Sequence, residues 1–217
     1  MPLAYKDPTF GLTGVEVDFA NQLGRGLGKT IIFVETPFPD LIKALLEKRI
    51  DIIMSGMSIT NERAELVSFT DPYVRIGQMA LVRAKEKSAF PDIQSFSKLT
   101  SSVGFVQVTT GEMAAKAFFP RATLVPEATV DDGIAALRRG EIALFIHDAP
   151  TVWRIAGNPN EKELAGLYWP LTKEPLAWAV RKDDEPLRFA LNRELEQWRL
   201  NGSLKEILSR WVTLRIW

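Results

Sequence analysis

Three junctions between an apolar strand pattern and a helix pattern gather the residues able to do chemistry. The first is Ser55-Gly56-Met57-Ser58-Ile59-Thr60-Asn61-Glu62-Arg63. Thr60 is placed to cap a helix whose first turn then holds Arg63. A cation at that end opposes the helix dipole, which favours anions. A bound carboxylate resolves the conflict by meeting the guanidinium fork, the Ser58 hydroxyl and free backbone amides together. An internal salt bridge to Asp71 or Glu62 resolves it equally well. The second junction is Gln107-Val108-Thr109-Thr110-Gly111-Glu112, where Thr109 and Glu112 have the spacing of a capping box. In the third, Ile146-His147-Asp148-Ala149-Pro150, Asp148 either caps a helix that has Pro150 in its first turn or meets an ammonium group. His147 reads as a satisfied residue at the core or rim. Phe38, between Pro37 and Pro39, is either an apolar wall for a ligand or a plug at a core edge. The tryptophans, such as Trp178, Trp198 and Trp211, read as packing.

Other chemistries are poorly provided for. With no cysteine and one histidine among 217 residues, thiolate zinc sites, disulfides and cysteine nucleophiles are excluded, and no metal site or cofactor is expected. A hydrolytic triad has few ways to form, and no Gly-x-Ser-x-Gly elbow occurs. Gly24-Arg25-Gly26-Leu27-Gly28-Lys29 follows a helix pattern instead of joining a strand to a helix, so it fails both the dinucleotide and the P-loop fingerprints. Basic and acidic residues balance at 27 each, which gives no global field for nucleic acid. No apolar run approaches the roughly 18–20 residues that span a bilayer. The start, Met1-Pro2-Leu3-Ala4-Tyr5-Lys6-Asp7, shows no signal peptide, which leaves a cytoplasmic protein or a removed leader.

The elements that must position these junctions alternate. Helix patterns cover Gly14 to Leu27, Asp40 to Lys48, Asn61 to Val67, Glu112 to Phe119, Asp131 to Arg139, Pro150 to Ala156, Leu187 to Leu200 and Leu204 to Trp211. Strand patterns cover Thr30 to Val34, Ile50 to Met54, Gly77 to Ala84, Ser102 to Gln107, Ala122 to Val125, Glu141 to Ile146 and Leu176 to Arg181. Such alternation predicts an α/β fold on mostly parallel sheets. There is also an internal echo. Leu41 to Gly56 and Ile134 to Asp148 each run helix, basic turn, acidic residue, apolar strand and polar cluster. Ligands of open α/β sheets bind at that end of the strands, so two such units predict two lobes serving one site.

These stretches resemble the family 3 extracytoplasmic solute-binding proteins, the polar amino-acid receptors of ABC transporters. The resemblance rests on Leu12-Thr13-Gly14-Val15-Glu16-Val17-Asp18, on Ile50 to Arg63, on Phe69-Thr70-Asp71-Pro72-Tyr73, on Val103 to Gln107 with Thr109-Thr110-Gly111, on His147-Asp148-Ala149-Pro150, and on the tail from Asn192 to Trp211. It implies a type II periplasmic binding protein-like fold, with two α/β lobes joined by two hinge strands. The crossings are expected near Arg83-Ala84 and Glu174-Pro175. Residues 1–84 plus 175–217 would then form lobe 1, and residues 85–174 lobe 2.

By the same resemblance, Arg63 and Ser58 hold an α-carboxylate and Asp148 an α-ammonium. Thr109, Thr110 and the Gly56 carbonyl help, and Met57 in the same motif is a further contact. Phe38 lies against the ligand's aliphatic part, while Gln107 and His147 set side-chain selectivity. The implied function is hinge closure around an amino acid and delivery to the membrane permease of an ABC importer, in the periplasm, by a non-enzymatic monomer. The family usually has a first strand and an aromatic just before the segment matching Pro2-Leu3-Ala4-Tyr5, and this chain starts too late to contain them. The first strand of lobe 1 is therefore expected to be missing, which favours a dimer if a neighbouring chain fills the gap. Two alternatives stand. One is a cyclohexadienyl dehydratase-like enzyme acting on prephenate or arogenate, with Glu174 as its acid. Against it, Val108-Thr109-Thr110-Gly111 lacks the Gly-Gly-Thr-Asn-Glu type of pattern. The other is the ligand-sensing domain of a receptor.

Overall fold

A computed structural model describes residues 3–7, 9 and 11–211; Pro2, where the resemblance begins, lies outside them. In chain order the elements are β1 (Tyr5–Asp7), β2 (Gly11–Thr13), α1 (Val15–Leu27), α2 (Leu41–Leu46), α3 (Asn61–Ala64), β3 (Ser68–Phe69), β4 (Val74–Ile76), β5 (Gln78–Arg83) and β6 (Ser102–Val106). There follow α4 (Thr110–Phe118), β7 (Thr123–Glu127), α5 (Val130–Arg139), β8 (Leu144–Asp148), α6 (Ala149–Ala156) and β9 (Leu164–Leu167). The chain ends in β10 (Glu174–Leu176), β11 (Ala179–Val180), α7 (Glu185–Asn201) and α8 (Ser203–Trp211). Short 3-10 turns occur at Phe38–Asp40, Ala84–Ala89 and Ile93–Lys98.

The chain divides into two units, Met1–Arg75 with Glu174–Trp217, and Ile76–Lys173. The first crossing lies before β5, where the sequence had it after. The reason is pairing: β5 lies inside the sheet of the second unit, between β8 and β9. That five-stranded sheet has the order β7-β6-β8-β5-β9. Strand β6 runs parallel to β7 and β8, whereas β5 is antiparallel to both of its neighbours, so the sheet is mixed. Its faces bury Val82, Val103, Leu144 and Ile146 in one apolar cluster with Phe96 and Phe119.

The first unit is held differently. Phe19, Tyr73, Trp178 and Trp198 pack ring on ring at centroid separations of 5.2–5.9 Å. A second cluster joins Leu41, Leu45, Ile53, Met57, Val67 and Ala179. Its strand pairs are short: β1 with β2, β3 with β11, and single bridges at Ile53–Ala179 and Ser58–Leu176. Two segments with strand composition, Thr30 to Val34 and Ile50 to Met54, lie outside the regular strands. Ile31, Ile32, Phe33 and Val34 make no backbone–backbone hydrogen bond with another described residue. Composition makes a strand possible; a neighbour at about 4.8 Å makes it one, and the first segment has none among the described residues. A groove of about 590 Å³ runs along both segments, lined among others by Glu16, Ile32, Val34, Ile50 and Ile52.

Candidate functional site

In the first unit the site is built on the start of α3. Thr60 caps that helix by accepting a hydrogen bond from the Arg63 amide at 3.2 Å. The cap fixes the backbone of Arg63, whose guanidinium donates to the Ser58 carbonyl at 2.9 Å and lies 5.3 Å from the centre of the Phe38 ring. A guanidinium over a ring face is held by the ring quadrupole. Of the internal partners allowed by the sequence, Asp71 meets Arg199 at 4.0 Å, and the Glu62 carboxylate meets its own amide and the Thr60 hydroxyl, which together with the charge of Arg63 lower its pKa. Ser58 is buried, and its hydroxyl donates to the Glu174 carboxylate at 2.6 Å. Ser58 thus touches the cation through its carbonyl and an anion through its hydroxyl.

Behind these residues stands Glu16, 2% exposed on α1. It accepts hydrogen bonds from the Gly56 amide at 2.7 Å, from the Tyr73 hydroxyl and from the Trp178 indole at 3.0 Å. Burial raises its pKa, and these donors pull it back down. Gly56 holds φ +65°, a left-handed conformation favouring glycine, and the Leu3 side chain fills the space a Cβ would need. The Gly56 amide thereby points at Glu16, and the strand end turns toward Ser58. Met57, expected as a ligand contact, is 1% exposed and packed into the apolar cluster with Leu41 and Ile53. An apolar side chain buried among Leu41, Leu45 and Ile53 is core material, whatever its motif.

In the second unit the ends of β5, β8 and α4 meet. Gln78, 1% exposed at the start of β5, donates through Nε2 to the Asp148 carboxylate and to the Thr110 hydroxyl at 3.1 Å. Asp148 ends β8 and precedes α6 without a side-chain cap bond, so its carboxylate is turned to Gln78 instead of to its own helix. The Thr109–Glu112 box takes another form. The Thr109 hydroxyl donates to the Val106 carbonyl at 2.7 Å, and Glu112 accepts from the Val108 amide at 3.0 Å. Val108 has φ +60°, which aims that amide back at α4. His147 is stacked on Phe145 and accepts the Asp148 amide at Nδ1. Burial lowers its pKa against the opposing pull of Asp148, so the imidazole is neutral at neutral pH. Gln107 is exposed beyond the end of β6.

The profile of the bacterial extracellular solute-binding proteins, family 3, matches residues 1–214. The chain belongs to that family. Among curated relatives, the ABC transporter glutamine-binding protein GlnH of Bacillus subtilis is 28% identical over 95% of this chain and 76% of its own. The cyclohexadienyl dehydratase of Pseudomonas aeruginosa is 25% identical over 99% of this chain and 80% of its own. Among solved structures, one assigned as a binding component of an ABC transporter from Wolinella succinogenes, complexed with lysine, shares 30% identity and a TM-score of 0.92, covering 100% of this chain and 93% of that one. The two-unit architecture is that of the type II periplasmic amino-acid-binding proteins.

The family's motif residues therefore fall into two clusters: Phe38, Gly56, Ser58 and Arg63 in one unit, and Thr109, Thr110, His147 and Asp148 in the other. Two positioning residues escaped the sequence reading. Glu16 leaves a signal, being an acid one turn before Ala20 and two before Leu23 on a buried helix face. Gln78 leaves a fainter one, a single amide opening an otherwise apolar strand.

Proposed function

We propose that this protein binds one free amino acid, with Arg63 taking the α-carboxylate and Asp148 the α-ammonium, and passes it to the permease of an ABC importer from the periplasm. The observation that carries this reading is the preparation of both charges by their own units. The Arg63 guanidinium is oriented by Ser58 and Phe38, and the Asp148 carboxylate by buried Gln78. A guest held at both ends stabilises whichever arrangement of the units lets both contacts form, and hinge motion follows from that difference in contacts. Ser58, Thr109, Thr110 and the Gly56 carbonyl assist, with Phe38 against the aliphatic part and Gln107 and His147 near the side chain. Among the described residues, no helix is long and apolar enough to cross a membrane. Calorimetry with the twenty common amino acids tests the reading. Removing one member of a buried charge pair costs about 2–5 kcal/mol, so Arg63→Ala should weaken binding roughly 30- to several-thousand-fold. Unchanged affinity in that variant refutes the assignment.

One observation favours a second reading, a dehydratase: the Glu174 carboxylate stands at the Ser58 hydroxyl, inside the cluster. Binding without chemistry is preferred because the Val108 to Gly111 turn lacks the pattern expected of such enzymes. Incubation with prephenate and arogenate, followed by ultraviolet absorbance, separates the two; turnover would establish the enzyme.

A further inference from the structure

The joint between the last two helices holds the chain's one Asn-Gly pair, Asn201-Gly202. Asn201 is the last residue of α7, Gly202 separates it from α8, and both are exposed. The Asn201 side-chain oxygen accepts a hydrogen bond from the Ser203 amide at 2.9 Å, so the carboxamide bends forward over the joint. A side chain bonded two residues ahead carries its Cγ toward the nitrogen of the residue between, here Gly202. The same bond polarises the carboxamide and aims a donor at the oxygen on which charge develops when a nucleophile adds to Cγ. The nucleophile is not otherwise engaged with the main chain. The Gly202 amide makes no backbone–backbone hydrogen bond with a described residue, whereas Gly28 and Gly140, which end α1 and α5, each donate to theirs. Gly202 holds φ +83°, and the space where a Cβ would stand is open to 4 Å.

We propose that Asn201-Gly202 is a site of spontaneous deamidation in the folded protein, with hydroxide and water as the co-reactants. Hydroxide takes the proton of the Gly202 amide, and that nitrogen bonds to Cγ of Asn201. The bond from Cγ to Nδ2 breaks, and the leaving nitrogen takes a proton from water and departs as ammonia, which restores the hydroxide. The five-membered succinimide left behind is opened by water at either carbonyl, giving aspartate or isoaspartate. The two products differ in consequence. Aspartate keeps the acceptor for the Ser203 amide and places a negative charge at the start of α8, where the helix dipole favours it. Isoaspartate routes the main chain through Cβ and Cγ and lengthens the joint. Helix α8 buries Leu204, Ile207 and Leu208, and its Trp211 donates to Asp18 of α1 at 2.8 Å, so a longer joint strains that docking. Asp132-Gly133 can form the same ring, but its setting is closed: the Gly133 amide donates to the Thr129 carbonyl at 3.2 Å inside α5, with the Phe145 ring packed against Gly133.

The test ages the full chain in mildly alkaline buffer, folded and unfolded in urea, and maps the products by peptide mass spectrometry. In the folded protein Asn201 should convert at least about 10-fold faster than Asn21, Asn61, Asn158, Asn160 or Asn192, and within about 10-fold of its own rate in urea. Isoaspartate should form at Asp132 in urea and not in the folded chain. Thermal unfolding then reads the consequence. Aged protein should show a second, lower transition in proportion to its isoaspartate, while Asn201→Asp should unfold at the wild-type midpoint or above it. Folded protein in which Asn201 stays intact, or is slowed more than about 10-fold relative to urea, overturns the inference, because the fold then protects the pair. A single unshifted transition in protein already converted to isoaspartate overturns the role given to the joint.

Discussion

Glu16 shows how much a single side chain can decide. It is an acid sealed in the first unit, where three donors from separate parts of the chain converge on it. Burial raises its pKa above the unfolded value, so the native state holds this proton more tightly than the unfolded chain does. Its contribution to stability is therefore fully present below about pH 4.5 and is lost as pH rises through the raised value. Glu16→Gln should remove that slope: the difference in unfolding free energy between wild type and variant, from urea melts at pH 4, 5, 6 and 7, should change steadily across the series. A constant difference would mean that Glu16 does not titrate differently on folding. Legibility at this scale was uneven. Arg63 announced itself by being a cation where the helix dipole disfavours one. Gln78 did not, because an amide in a strand carries no charge or spacing anomaly and its role appears only once β5 and β8 lie side by side. Met57 misled because a motif names neighbours in sequence, whereas burial is decided by neighbours in space.

Elements were more legible than their partners. Helix α5 was expected within one residue of its observed start; the structure shows Thr129 capping it and Gly140 ending it in a left-handed turn. Four strands of the second unit, β5 to β8, were expected from apolar runs between turn residues, whereas β9 at the sheet edge was not. Thr30 to Val34 has a similar composition, but Ile31 to Val34 pair with no backbone among the described residues, so no strand forms there. Junction geometry needed the structure too. A Cβ on Gly111 would stand 3.1 Å from the Thr109 hydroxyl, 3.2 Å from the Gln78 amide oxygen and 3.2 Å from the Ile146 carbonyl. The start of α4 therefore approaches β5 and β8 as closely as glycine allows. Gly111→Ala should cost about 1–3 kcal/mol in denaturant unfolding, as overpacking does. It should also weaken amino-acid binding, because the displaced neighbour is the amide that holds Asp148. Normal affinity in this variant would show that α4 can yield without moving Gln78.

At the scale of the whole molecule, two units each with its own core are linked by two passages of chain, at Arg75–Ile76 and Lys173–Glu174. The internal echo of Leu41 to Gly56 in Ile134 to Asp148 foretold two lobes; the passages were harder to place, because β5 looks like any apolar strand until its neighbours are known. The groove of the first unit carries a further consequence. Ile32, Phe33 and Val34 are 82%, 44% and 48% exposed, beside backbone that pairs with no described neighbour. The chain carries no net charge at pH 7 to keep copies apart. An apolar edge of this kind is a template for sheet growth between molecules. Light scattering at rising concentration should show reversible self-association, and Ile32→Lys should suppress it by setting a hydrated ammonium on the edge. Scattering that stays flat in the unsubstituted protein would mean the edge is capped in solution. Storage and crystallisation of this protein will be governed less by its ligand site than by five residues, Thr30 to Val34, that have the makings of a ladder and, among the described residues, nothing to climb.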